Sequence, residues 1–122
     1  MTAIVTNLEQ LTINKFQSSI SYINGLFTLF TYLYNEGNII APIIFRVCIQ
    51  KFKSTTSEDQ CLVFGYNFLS LVTEYHNFPI TMAAMIIDAI VERFQTYQAL
   101  TTVDVKLLVY VSTEMKKSTL SE

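Results

Sequence analysis

The chain has 122 residues, of which 51% are hydrophobic and 15% charged, and its formal net charge is -2. This length fits one domain with its own core, and the slight negative charge argues against nucleic-acid binding through overall charge. The apolar excess predicts more hydrophobic surface than the chain can hide, and therefore a homodimer or a permanent protein partner.

The first predicted helix covers Leu8–Ile23 and ends at Asn24-Gly25, because glycine is costly inside a helix. The second predicted helix, around 24–34, is apolar almost all round and should be buried or lie in an interface. Gly37 suits the C-terminal end of this helix, and Pro42 suits the first turn of the next one.

Three further helices are predicted around 39–53, 58–75 and 81–95, and a last one at 101–117. The second of these four begins with a helix-start signal: Ser57 as the N-cap, acidic residues in the first turn, and Gln60 placed for a capping box. The alternating valines near the start of the last helix also fit a strand. No other strand is available to pair with it, so we predict a helix.

One stretch is repeated: Ile43–Lys53 returns 42 residues later as Met85–Gln95, and every aligned pair keeps its polar or apolar class. The helices that precede these two stretches match at the same offset. A period near 42 residues is typical of helical-pair repeats of the HEAT and armadillo type. Two amphipathic helices can also match through their shared 3.6-residue period alone, and this alternative stays open.

These elements predict a single all-α domain over residues 1–122, a right-handed stack of helical hairpins of the HEAT type with five to six helices. A first pair or cap would span 8–34, the pairs 24–53 and 58–95 would follow, and the last helix would span 101–117. The end faces of such a short stack are apolar, which again favours a partner.

Two polar stripes occupy equivalent positions in the repeated helices, at i, i+4 and i+7. If the helices lie side by side, a basic stripe lies beside an acidic one, with Arg46 near Asp88. The predicted partner-binding residues are Arg46, Gln50, Lys53, Asp88 and Glu92. The alternative is a ladder of charge pairs between the repeats, and both interpretations stay open. Lys51 and Arg93 form a second equivalent pair and are the candidate RNA contacts.

Residue chemistry gives no support for an enzyme. His76 is the only histidine, so no second histidine is available to activate a nucleophile. Cys48 and Cys61 lack metal-ligand spacing and are expected to be buried free thiols. Asp88 and Glu92 share a helix face but have no second acidic pair to complete a metal site. We therefore expect no catalytic residue, metal, cofactor or small-molecule substrate.

The location of the protein follows from what the sequence lacks. Arg46 interrupts the longest apolar run, so no membrane span is expected. Residues 1–4 lack the basic start and apolar core of a signal peptide. The expected location is therefore the cytoplasm or the nucleus.

The segment Leu8-x-x-Leu11-Thr12-x-x-Lys15-Phe16 resembles the opening of the middle domain of translation initiation factor 4G, a HEAT-type domain. The segment Phe64-Gly65-x-Asn67-Phe68-Leu69-x-Leu71-x-x-Glu74-Tyr75 resembles that family's Gly-Asn-x-x-Phe-Ile-Gly-Glu-Leu segment. The resemblance spans most of this chain but only part of the family's longer domain. A domain that binds the tail of RNA polymerase II is similar in size and helix pattern, but its signature is absent here.

Both resemblances imply a helical scaffold that binds protein or RNA. The leading hypothesis is a non-enzymatic scaffold or adaptor for a protein partner, with a role in translation or mRNA metabolism. Two alternatives stay open: an RNA-binding helical module, and an obligate homodimer of helical bundles with a structural role.

Overall fold

The computed structural model describes residues 20–120, with the side chains of residues 20–117. Within this range the chain forms five α-helices and no strand, which confirms the all-α prediction. The helices are α1 (Ile20–Asn35), α2 (Ala41–Ser54), α3 (Glu58–Glu74), α4 (Ile80–Tyr97) and α5 (Thr102–Leu120). Most of the helix predicted at Leu8–Ile23 lies outside the described residues.

The chain forms two compact units, Met1–Phe52 and Lys53–Glu122. The described part of the first unit contains α1 and nearly all of α2, and that of the second contains α3, α4 and α5. The boundary coincides with the end of the first predicted helix pair, at residue 53. Each unit therefore holds one of the two helix pairs that the repeat predicts.

In the first unit, aromatic side chains join the two helices. The ring of Phe30 lies 5.3 Å from that of Phe45 and 5.4 Å from that of Tyr34, measured between centroids. Phe30 and Phe45 are almost completely buried, as are Leu26 and Phe27 of α1. Full burial of such a side chain contributes about 1.5–3 kcal/mol, so this cluster is a main source of the unit's stability.

The predicted break at Asn24-Gly25 is wrong, because α1 runs through both residues without interruption. Gly25 is exposed, and a Cβ built on it would have no atom within 4 Å. A glycine inside a helix costs only about 1 kcal/mol. Five buried residues of α1, on both sides of Gly25, more than offset that cost.

Helix α1 ends just before Gly37, as the position of this glycine predicts. Gly37 has a φ of 67°, which is the left-handed conformation that glycine adopts without strain. The backbone N–H of Gly37 donates to Tyr34 O at 3.0 Å, and that of Asn38 donates to Leu33 O at 2.9 Å. These two bonds form a Schellman motif, which satisfies carbonyls that the helix end would otherwise leave open.

In the second unit, α3, α4 and α5 share one core. The residues with the most completely buried side chains are Phe64 and Phe68 of α3, Ile86 and Ile90 of α4, and Val103 and Leu107 of α5. Together with Val111, the two α5 residues are spaced by four, so a single helix face is buried. The α5 segment that alternates like a strand is therefore helical, because its buried positions follow the helical period and not the period of two.

Two helices of this unit, α3 and α5, approach each other closely at Gly65. A Cβ at this position would lie 2.6 Å from Val103 Cγ1 and 3.1 Å from Val103 Cβ. Both distances are shorter than ordinary van der Waals contact, so α3 comes this close to α5 only because residue 65 has no side chain.

Side-chain caps begin two helices of the second unit, and the serine N-cap of α3 is the one predicted. Ser57 is the N-cap of α3, and its side-chain oxygen accepts from the backbone N–H of Gln60 at 3.4 Å. Thr101 caps α5: its hydroxyl accepts from Asp104 N at 3.1 Å, and the Asp104 carboxylate accepts from Thr101 N at 3.0 Å. This reciprocal pair is a capping box with aspartate in the usual place of glutamate.

Candidate protein-interaction face

The structure places most of the predicted partner-binding residues at the surface. Arg46 and Gln50 are exposed on α2, and Asp88 and Glu92 are exposed on α4, whereas Lys53 is partly buried. Arg46 and Gln50 belong to the first compact unit, and the other three residues belong to the second.

Lys53 and Glu92 form an ion pair, with 3.1 Å between Lys53 Nζ and Glu92 Oε2. The repeat alignment matches Lys53 with Gln95, so the observed partner lies almost one helical turn earlier on α4. Both side chains remain partly exposed, at 28% and 56%. Such a pair contributes at most about 1 kcal/mol, so it orients the two side chains more than it stabilises the fold.

Arg93 is not a surface residue, and its burial argues against the RNA contact predicted for it. Only 5% of the residue is exposed, and its guanidinium donates to the backbone carbonyl of Thr55 and to the sulfur of Cys61. The guanidinium carbon also lies 5.4 Å from the ring centroid of Tyr97. A buried guanidinium needs such partners, and an arginine that uses them inside the fold is not available to a phosphate. Lys51 is partly exposed.

The same buried cluster contains Cys61 and Asp104. Burial raises the pKa of the Cys61 thiol, Arg93 opposes this effect, and Asp104 and Glu58 add to it. A buried thiol with a raised pKa is a poor nucleophile, because the reactive form is the thiolate. Asp104 is 1% exposed, and its Oδ1 atom has no hydrogen-bond partner in the described part of the chain. We interpret this cluster as structural.

Helix α4 carries apolar residues on two faces. Its buried face consists of Met82, Ala83, Ile86, Ala89 and Ile90. A second apolar stripe consists of Ile80, Ala84, Ile87, Val91 and Phe94, separated by four, three, four and three residues. We call these five residues the α4 seam.

The α4 seam lies at the surface. Ile80 is 51% exposed and Val91 and Phe94 are each 44% exposed, while Ala84 and Ile87 are partly exposed. A helix that is apolar on several sides is normally covered on all of them. A contiguous exposed stripe therefore indicates an interaction surface more strongly than a single exposed apolar residue does.

One edge of the α4 seam is acidic. The only charged residues of α4 are Asp88, Glu92 and the buried Arg93. At 100° per residue, Asp88 lies about 40° beyond Ala84 around the helix, and Glu92 lies about 40° beyond Asp88. The exposed charges of α4 beside the seam are therefore carboxylates. The ammonium group of Lys53 partly neutralises the carboxylate of Glu92.

A pocket of about 600 Å³ lies beside the turn between α3 and α4. Its lining includes His76, Phe78, Tyr110, Glu114 and Lys117. His76 is exposed, as expected for a turn residue. Lys117 and Glu114 form an exposed ion pair, with 3.4 Å between Lys117 Nζ and Glu114 Oε1. The charged groups of this pocket are all solvated. Enzyme sites usually hold such groups away from water, so we assign no chemistry to the pocket.

Nowhere between residues 20 and 120 do three His, Cys, Asp or Glu side chains come together in a group that fits a metal ion. None of α1 to α5 is long and apolar enough to cross a membrane.

Compared with protein-family models, curated proteins and solved structures, the chain matches none of them. The fold class that the structure defines is an all-helical protein. The resemblance to translation initiation factor 4G therefore stays a hypothesis from sequence motifs, and so does the HEAT-type stack.

The α4 seam is the feature that sequence reasoning missed. The repeat alignment drew attention to the polar positions of Met85–Gln95 and assigned no role to the apolar ones. A signal was present, because apolar residues on α4 cover far more of the helix circumference than one core-facing stripe needs. Counting apolar residues on each face of the helix would have found two stripes.

Proposed function

We propose that this protein is a non-enzymatic helical adaptor that binds a protein partner through the α4 seam. The single observation that carries the proposal is the second apolar face of α4, which stays at the surface while the first face fills the core. Burial of apolar surface is the main driving force of most protein association. Burial of this exposed stripe against a partner would provide that driving force.

The polar residues predicted from the repeat fit around this seam. Asp88 and Glu92 lie at its edge, and Lys53 pairs with Glu92. Arg46 and Gln50 are exposed on α2 of the first unit and stay candidate contacts on the strength of the repeat alone. Charged groups at the rim of an interface mainly affect the rate and specificity of association.

The test is affinity capture from the protein's own cells with two matched variants, with and without nuclease treatment. Val91→Asp places a carboxylate in the seam, and Val109→Asp makes the same change at an exposed valine of α5 outside it. We expect the captured protein partner to survive nuclease, to disappear with Val91→Asp and to remain with Val109→Asp. Both variants should unfold within about 0.5 kcal/mol of the parent, as surface substitutions normally do.

Two outcomes would contradict the proposal. Loss of every partner on nuclease treatment would favour the RNA-binding alternative, for which Lys51 is the remaining candidate contact. Partners that remain with Val91→Asp would place the interaction elsewhere on the chain. The role in translation or mRNA metabolism rests on the resemblance alone, and the identity of a captured partner tests it.

A further inference from the structure

We infer that the α4 seam binds an amphipathic helix of the partner, whose apolar residues follow a heptad and whose flanking residues are lysine and arginine. This inference rests on the proposed function and names the kind of partner that the seam fits.

The spacing of the seam selects a helix. Separations of four, three, four and three residues are those of the a and d positions of a heptad. Two helices with this spacing pack by inserting each side chain between side chains of the other. An extended strand repeats its side chains every two residues and does not match this period. Ala84, the smallest residue of the seam, allows close approach of the partner helix about one turn from the N-terminal end of the seam.

The charge at the edge of the seam selects a basic partner. In paired helices the positions beside the apolar seam carry the charges that determine which partner is accepted. Asp88 occupies such a position, and Glu92 lies one position further around the helix. No exposed lysine or arginine lies on α4. A partner helix with acidic flanks would be repelled here, and one with basic flanks would be attracted.

The size of the seam argues against a second copy of this chain. From Ile80 to Phe94 the helix rises about 21 Å, which at a width of about 10 Å gives a footprint of about 200 Å². A stable dimer normally buries about 800 Å² on each partner. In an antiparallel two-fold dimer that packs Ala84 against Phe94 of the second copy, the two Asp88 carboxylates also lie near each other and repel. A single short helix of three to four turns suits this footprint better.

Two designed peptides test the inference. Each has about 21 residues, or three heptads, with leucine at the a and d positions. The flanking positions are all lysine in one peptide and all glutamate in the other. Binding of each labelled peptide to the full chain is measured by fluorescence anisotropy at about 50 mM and about 300 mM salt.

We expect the lysine peptide to bind at least tenfold more tightly than the glutamate peptide, and this preference should shrink at the higher salt. Val91→Asp should weaken the binding of the lysine peptide at least tenfold. Asp88→Lys should remove or reverse the preference between the peptides. Glu36→Lys makes the same change of net charge at an exposed site beyond α1 and should leave the preference intact.

Equal binding of the two peptides, or binding that Val91→Asp does not change, would overturn the inference. So would a dimer of this chain that Val91→Asp dissociates. These results are separable from the proposed function. A cellular protein partner that depends on Val91 without a preference for the lysine peptide removes only the inference, whereas the absence of any such partner removes the proposed function itself.

Discussion

Gly65 and Gly25 both lie inside helices, in opposite environments. Replacing Gly65 by alanine puts a methyl group 2.6 Å from Val103 Cγ1, so α3 and α5 must move apart. We expect Gly65→Ala to lower the free energy of unfolding by about 1–3 kcal/mol, which is the usual cost of overpacking.

Gly25→Ala is the matched control for this prediction. The new methyl group meets no atom within 4 Å, and alanine reduces the entropy of the unfolded chain. The free energy of unfolding should therefore rise by about 0.4–1 kcal/mol. Urea denaturation of both variants measures the two effects. If Gly65→Ala left the free energy of unfolding unchanged or raised it as Gly25→Ala does, the overpacking argument would be contradicted.

The buried thiol of Cys48 predicts how the free energy of unfolding depends on pH. Its thiol is fully buried, and this burial raises its pKa well above the ordinary value of 9.0. A raised pKa in the folded state means that stability is complete below about pH 9 and falls as the pH rises above it. Because only the unfolded thiol ionises there, this residue should lower the free energy of unfolding by about 1.4 kcal/mol between pH 8 and pH 10.

The measurement is urea denaturation at both pH values for the parent chain and for Cys48→Ala. The variant is less stable overall but lacks the ionisable thiol. Its loss of stability between pH 8 and pH 10 should therefore be smaller than that of the parent. An identical loss in both proteins would contradict the prediction, since tyrosines and lysines contribute equally to each.

At the scale of the helices, the start of α5 depends on the capping box of Thr101 and Asp104. Thr101→Ala removes the hydroxyl that accepts from Asp104 N at 3.1 Å. We expect a loss of about 1 kcal/mol, typical of an N-cap threonine. Thr101→Ser keeps the hydroxyl and should unfold close to the parent. Equal stability of the alanine and serine variants, in thermal unfolding followed by circular dichroism, would show that the cap does not matter.

The ends of the helices are predictable where a local hydrogen bond determines them. Ser57, Thr101 and Gly37 each act through atoms within a few residues, so their roles can be inferred from neighbouring sequence. Gly25 misled the prediction because its cost is local, whereas the burial of the α1 side chains depends on packing with the rest of the fold. Local sequence does not contain that second quantity.

At the scale of the whole molecule, the α4 seam bears on the state of association. The seam covers about 200 Å², which is well below the area of a stable dimer interface. We therefore expect the purified chain to be a monomer in sedimentation velocity at about 10 µM, with the same sedimentation coefficient for Val91→Asp. A stable dimer would instead support the homodimer alternative, and its sensitivity to Val91→Asp would locate the interface.

The candidate site was predictable only in part. The polar character of Asp88 and Glu92 follows directly from the sequence, and both residues are exposed as a binding ridge requires. The burial of Arg93 does not follow from its position in the repeat, because it depends on Thr55 and Cys61 lying within reach of the guanidinium. Contacts of that kind, 38 and 32 residues apart in the chain, appear only when the fold is known.

The distribution of the two cysteines has a practical consequence. Cys48 belongs to the first compact unit and Cys61 to the second, and both thiols are buried. An alkylating reagent reaches a buried thiol only when the surrounding helices open. The alkylation rate of each cysteine, read separately by peptide mass spectrometry, therefore reports the opening of its own unit. The native sequence thus contains one chemical reporter for each half of the fold, and no label has to be introduced.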